Sequence, residues 1–147
     1  NQSPVNIDST IKAHLTPLKT HYIDGPVTLT NNGHTIQAVE KPDTADTIML
    51  DNQAWALQQF HFHAPSENTI HGKKFDMEMH LVHKNAEGAL TVVAVMFDKG
   101  AANAELDKLW GIMPGQAEQS ATLETKLDLN KLLPKNKTYT YFRGNCD

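Results

Sequence analysis

Between residues 60 and 83 the chain reads FHFHAPSENTIHGKKFDMEMHLVH, with histidines set in stretches that otherwise have the composition of buried sheet. Side chains of an extended strand alternate between its two faces. His61 and His63 therefore share a face with Gln59, while Phe60 and Phe62 take the other. In Phe75–His83, Glu78, His80 and Val82 share one face, and Met77, Met79 and Leu81 share the opposite one. If the two segments pair antiparallel, Gln59, His61, His63, Glu78 and His80 form one polar cluster. Three imidazoles on a rigid, mostly apolar sheet suit Zn²⁺, which takes neutral nitrogen ligands in tetrahedral geometry. Three protein ligands leave the fourth position to water, the arrangement of a catalytic site. Gln59 and Glu78, each two residues before a histidine, supply acceptor oxygens for ring nitrogens turned away from the metal. A single inward histidine would read as a hydrogen-bonded core residue; three, flanked by two acceptors, point to metal. His71, in a turn, and His83, facing away from His80, read as structural or solvent-facing.

The elements that must carry these residues are mostly strands. Thr47–Leu50, Trp55–His63, Phe75–His83 and Ala89–Phe97 are apolar-rich runs broken by turn-like DNQ, HGKK and KNAEG and by Ala64-Pro65-Ser66. Short connections between the last three predict an antiparallel meander, and the near-continuous apolar run of Ala89–Phe97 predicts a central strand. In residues 103–114, Leu106, Leu109, Trp110 and Met113 recur at helical spacing ahead of Pro114, with Asn103 as N-cap, so that stripe reads as core packing. Thr138–Phe142 reads as a further short strand. A mainly β (α+β) body with two or three minor helices is the expectation.

Composition narrows the partners. The chain has 147 residues, 39% hydrophobic and 20% charged, which fits one globular domain. Net charge is −4 and Arg143 is the only arginine, which argues against nucleic acid or an anionic membrane surface. No apolar run approaches the length of a membrane span. Cys146 is the only cysteine, so it reads as a free thiol or as half of a pair completed outside this chain.

His-x-His-x-x-x-Glu, as in HFHAPSE, also matches the metal motif of cupin barrels, where Glu67 would be a fourth ligand. That motif wants glycine upstream, where Trp55 stands, and a Gly-rich segment around the last histidine, which FDMEMHLVH lacks.

The wider pattern resembles the α-class carbonic anhydrases, and bacterial members in particular. NQSPVNI (Asn1–Ile7), NNGHT (Asn31–Thr35), QFHFHAPSEN (Gln59–Asn68), MEMHLVH (Met77–His83), VVAVMF (Val92–Phe97) and LLP (Leu132–Pro134) resemble that family's segments in order. The resemblance implies a central, largely antiparallel twisted sheet with a few short peripheral helices. It also implies a zinc enzyme that reversibly hydrates carbon dioxide to bicarbonate through a zinc-bound hydroxide. His61, His63 and His80 would hold zinc, supported by Gln59 and Glu78. Glu67 would not be a ligand but would accept a hydrogen bond from a threonine hydroxyl that orients the hydroxide. His34 would relay protons to solvent, and Val82 and Val92 would line the apolar wall beside carbon dioxide. A periplasmic or secreted protein, and a homodimer, are further implications.

The chain departs from the family at both ends. The aromatic stretch before NQSP is missing, as is the Leu-Thr-Thr-Pro-Pro-Cys segment expected after the last Tyr-rich strand, with the threonine that Glu67 would pair with. Residues 1–147 then read as one α-carbonic-anhydrase-like catalytic domain, truncated at both ends relative to the family. Such a chain alone is expected to hold zinc but to catalyse weakly, because hydroxide orientation is lost. The alternative is a silent relative that serves as a zinc-binding or interaction module.

Overall fold

The computed structural model describes residues 3–40 and 46–144. Asn1 and Gln2 of the N-terminal motif, and Cys146, lie outside the described residues. In chain order the strands are β1 (Asn6–Ile7), β2 (Lys19–His21), β3 (Gly25–Asn31), β4 (Ile36–Glu40), β5 (Thr47–Leu50), β6 (Gln53–His63), β7 (Thr69–Ile70), β8 (Met77–Lys84), β9 (Leu90–Phe97) and β10 (Ser120–Leu127). Helix α1 (Ala104–Trp110) precedes β10, and a 3₁₀ turn at Leu129–Leu132 follows it.

β6 is the spine of the main sheet. β8 pairs antiparallel along one edge of it, from Ala56↔Lys84 to His63↔Glu78. The other edge is shared, β5 pairing with residues 53–56 and β4 with Phe60 and His61. β3 and β10 continue outward from β4, β2 from β5, and β9 from β8. The meander β6–β8–β9 is thus the one the short connections predict.

A bulge in β6 sets which residues face the core. Leu57 pairs with His83 and Gln59 with Val82, so Gln58 is an extra residue on this strand. An inserted residue shifts the alternation by one. Trp55 and Leu57 accordingly pack toward the core before it, and Phe60 and Phe62 after it. That frees Gln59, His61 and His63 for the opposite face. Phe60, Met79 and Leu81 are fully buried with Ile48, Leu109, Leu127 and Leu129, so α1 and the 3₁₀ turn pack with the end of β10 against the apolar side of the sheet. Full burial of side chains of this size contributes about 1.5–3 kcal/mol each.

Several expectations change. Ala89–Phe97 begins at Leu90 and, among the described residues, pairs with β8 alone. Its apolar run serves both faces: Val93 and Val95 pack toward the core, while Val92, Ala94 and Met96 pair with Val82, His80 and Glu78 on the histidine face. Helix α1 stops at Trp110, because Gly111 caps it and Ile112 N turns back to Leu109 O. Asn103 does cap its start, its side chain accepting from Glu105 N and Leu106 N at 2.9 and 3.2 Å. Leu106 and Leu109 pack into the core, whereas Met113 lies beyond the helix. One α-helix and one 3₁₀ turn stand, among the described residues, where two or three helices were expected. Thr138–Phe142 forms no strand. It is held instead by side chains: the Tyr139 hydroxyl donates to Thr16 O, and Tyr141 and Phe142 remain exposed.

Candidate metal centre

The register of β6 against β8 sets His61 directly opposite His80, and His63 opposite Glu78. The three histidines predicted from strand alternation therefore converge. One ring nitrogen of each lies within 4.8 Å of the others, and the ring centroids are 4.7–5.3 Å apart. All three side chains are half-buried, so the cluster is open on one side.

The nitrogens turned away from the centre each lie near a side-chain oxygen. His61 Nδ1 is 2.8 Å from Gln59 Oε1. An amide oxygen only accepts, so this nitrogen carries the proton and Nε2 keeps its lone pair. His63 Nδ1 is 3.3 Å from Glu67 Oε1, an ion-pair distance. His80 Nε2 lies 3.0 Å from Glu78 Oε2, at an angle outside a straight hydrogen bond, leaving Nδ1 as its free lone pair. For His61 the lone pair available to a cation is thus Nε2, and His63 and His80 each bring one ring nitrogen to the same centre.

Burial lowers the His61 pKa to about 4, with the neighbouring His80 and His63 rings adding to the effect. Burial also lowers that of His63, against the attraction of Glu67. Neutral imidazoles are the form a metal needs, and zinc favours nitrogen donors of this kind. The donor set fits Zn²⁺.

Glu78 is fully buried and supports more than His80. Its Oε1 accepts from the backbone N–H of Glu67 and Asn68 at 2.8 and 3.0 Å, and its Oε2 accepts from Asn68 Nδ2 at 2.7 Å. Burial opposes ionisation, yet the contacts with His80 and Asn68 outweigh it and hold the carboxyl at about 2. Ser66 and Asn68 are buried as well. The Ser66 hydroxyl donates to Asn68 O, and Phe75 N donates to that hydroxyl. Asn68 Oδ1 accepts from Val5 N. Sequence reasoning passed over both residues. Their signal is two small polar side chains in APSEN, a loop that connects two ligand strands.

The remaining candidates stand around this cluster. His34 sits in the β3–β4 turn, where Asn32 Oδ1 accepts from His34 N and Thr35 N, and Asn31 Oδ1 from Gly33 N. Gly33 has φ of 85°, a conformation that favours glycine, which accounts for the Asn-Asn-Gly-His order. His34 is exposed, and it lines with His63 a cavity of about 330 Å³ whose walls include Ile36, Phe62 and Trp110. Val82 and Val92 pair directly, one row from His61 and His80 on the same face, and neither lines that cavity. Glu67 is outside the ligand cluster. His71 is exposed in its turn, with φ of 50°. His83 is fully buried on the core face, where its Nε2 is 2.8 Å from the Tyr22 hydroxyl.

Comparison with known proteins places this geometry. The model of the eukaryotic-type carbonic anhydrase family matches residues 1–145. A carbonic anhydrase of Klebsiella pneumoniae is 68% identical over 145 residues, covering 99% of this chain and 59% of its own length. The α-carbonic anhydrase of Photobacterium profundum superposes with a TM-score of 0.91 at 42% identity, over 98% of this chain and 65% of that one. The α-carbonic anhydrase of Thermovibrio ammonificans, solved with the inhibitor sulfanilamide, gives 0.89 at 41% identity, over 95% and 62%. The chain therefore spans about three fifths of the length of these relatives. With the family's fold and a match over nearly its whole length, the chain belongs to the eukaryotic-type, or α, carbonic anhydrase family.

Proposed function

We propose that the chain carries the metal centre of an enzyme that reversibly hydrates carbon dioxide to bicarbonate and a proton, with zinc as its cofactor. The observation that supports this most is the convergence of His61, His63 and His80 with each outer nitrogen already at an oxygen. Zinc on three imidazoles lowers the pKa of bound water to about 7, the value long established for carbonic anhydrase itself, and so supplies a nucleophile at neutral pH.

The chain's own residues do the rest. Gln59 fixes the tautomer of His61, and the buried Glu78 lies 3.0 Å from His80, so that the ligand rings are held in place before the metal arrives. Val82 and Val92 offer an apolar patch beside the ligands for a substrate with no net charge. His34, on the rim of the cavity it shares with His63, passes protons between the site and solvent. For the compartment we propose the periplasm or the outside of the cell, as the resemblance to bacterial α-carbonic anhydrases implies. Recovery of the protein in the cytoplasmic fraction would contradict it.

The test is metal analysis with stopped-flow carbon dioxide hydration, on wild type and on His80→Ala. About one zinc per chain, with hydration that His80→Ala abolishes and sulfanilamide inhibits, is the expected result. A purified chain without zinc, or activity that survives the substitution, overturns the reading.

A further inference from the structure

The β3–β4 turn holds the chain's only Asn-Gly pair, Asn32-Gly33. Glycine has no Cβ, so nothing shields its nitrogen from the side-chain carbonyl of a preceding asparagine. We infer that Asn32 is a site of spontaneous deamidation, and that the side chain of Asn31 restrains the reaction in the folded protein. The step needs only water. The Gly33 nitrogen attacks Asn32 Cγ, forming an N–Cγ bond, and the Cγ–Nδ2 bond breaks. Ammonia leaves with the proton that Gly33 N gave up, and a cyclic imide remains. Water then opens the imide at one carbonyl or the other, giving aspartate or isoaspartate at position 32.

Both partners in that attack are hydrogen-bonded, with opposite effects. Asn32 Oδ1 accepts from His34 N at 3.0 Å and from Thr35 N at 2.9 Å. Two donors on this oxygen draw electrons from Cγ and stabilise the charge that builds there as the nitrogen adds. The electrophile is thus prepared. The nucleophile is masked, because Gly33 N donates to Asn31 Oδ1 at 3.0 Å. That bond favours the protonated nitrogen, whereas the attacking form has lost its proton. Asn31 is itself held in place. Its Nδ2 donates to Pro114 O at 3.2 Å, its N donates to Gln119 O at 2.9 Å, and its O accepts from Glu118 N at 2.7 Å. Asn32 and Gly33 are exposed, so water reaches the imide. The product alters the turn that carries His34. Aspartate adds a negative charge two residues away, while isoaspartate lengthens the backbone and removes the oxygen that caps His34 N and Thr35 N.

The experiment is incubation in mildly alkaline buffer of folded wild type, Asn31→Ala and Asn31→Asp, with wild type unfolded in urea as the unrestrained reference. Peptide mapping by mass spectrometry reads conversion at position 32, and enzymatic methylation reads isoaspartate. Circular dichroism checks that each variant is folded. Unfolded wild type should convert faster than folded wild type. Loss of one neutral hydrogen bond predicts that folded Asn31→Ala converts about 2–10-fold faster than folded wild type. Asn31→Asp keeps an acceptor oxygen, and its charge disfavours the deprotonated nitrogen, so it should convert no faster than wild type. Where Asn31→Ala does not fold, Asn31→Gln takes its place with the same expectation, since its extra methylene moves the acceptor off Gly33 N. Unfolded wild type that leaves Asn32 intact refutes the site. Folded wild type that converts as fast as unfolded wild type refutes the restraint. So does Asn31→Ala at the folded wild-type rate, or Asn31→Asp as fast as Asn31→Ala.

Discussion

Replacing Glu78 by glutamine keeps the side chain's shape and removes its charge, which isolates what the buried carboxylate does. The carboxylate faces two backbone donors on Oε1, and Asn68 Nδ2 and His80 Nε2 on Oε2. A glutamine can keep its oxygen toward the backbone pair only by turning its NH₂ onto the other two donors. Hydrogen bonds to a charged group contribute about 1.5–3 kcal/mol, and each buried group left unpaired costs about 1–3 kcal/mol. Allowing for relaxation, the loss should be about 3 kcal/mol. The pKa leads to the same size: an ordinary carboxyl near 4.5 held at about 2 corresponds to roughly 3 kcal/mol of linkage. The sign follows, because the folded state holds this proton less tightly than the unfolded one. The stability is present above pH 4.5 and drains away as pH falls toward 2. Urea unfolding of metal-free wild type and Glu78→Gln should show a gap of about 3 kcal/mol at pH 7. The gap should narrow across the acid range. A difference within about 0.5 kcal/mol at pH 7, the size of an ordinary surface change, would refute the reasoning.

Other outcomes follow from the core and its buried histidine. Burial lowers the His83 pKa to about 4 against the backbone of Leu81 and Thr91 and the charge of Asp46, so its proton is taken up more readily by the unfolded chain. His83 should contribute about 3 kcal/mol to the fall in stability as pH drops from 6.5 to 4, a window above that of Glu78 and shared with His61, and His83→Gln should make that limb shallower by this amount in urea titrations. Phe60 is fully buried and makes an edge contact with Phe62, so Phe60→Ala should cost about 3–5 kcal/mol in the same assay.

The convergence of His61, His63 and His80 was legible because strand alternation needs only correct pairing, and the 60–63 and 77–83 segments keep strict period two. The bulge had a signal as well: apolar residues fall at 55 and 57, then at 60 and 62, a change of phase that calls for one extra residue. β3, β4 and β10 were harder to read. GPVTLTN opens with breakers, and in SATLETKL only alternate residues are apolar, with threonines paired across the strands at Thr28 and Thr122. Thr138–Phe142 had the composition of a strand but pairs with none of the described strands, and the Tyr139 side chain holds it instead. The Glu67–His63 contact was beyond pattern reading, since it depends on Glu78, eleven residues away, pinning the loop between them. His83 finds Tyr22 across 61 residues of chain, which no local spacing could reveal.

The measurement closest to the central claim is X-ray absorption at the zinc edge of the purified chain, with stoichiometry from the same sample. The account predicts about one zinc per chain and three imidazole nitrogens at about 2.0–2.1 Å, with the set reduced in His80→Ala. Absence of zinc, a carboxylate from Glu67 among the ligands, or a spectrum unchanged by His80→Ala would contradict it.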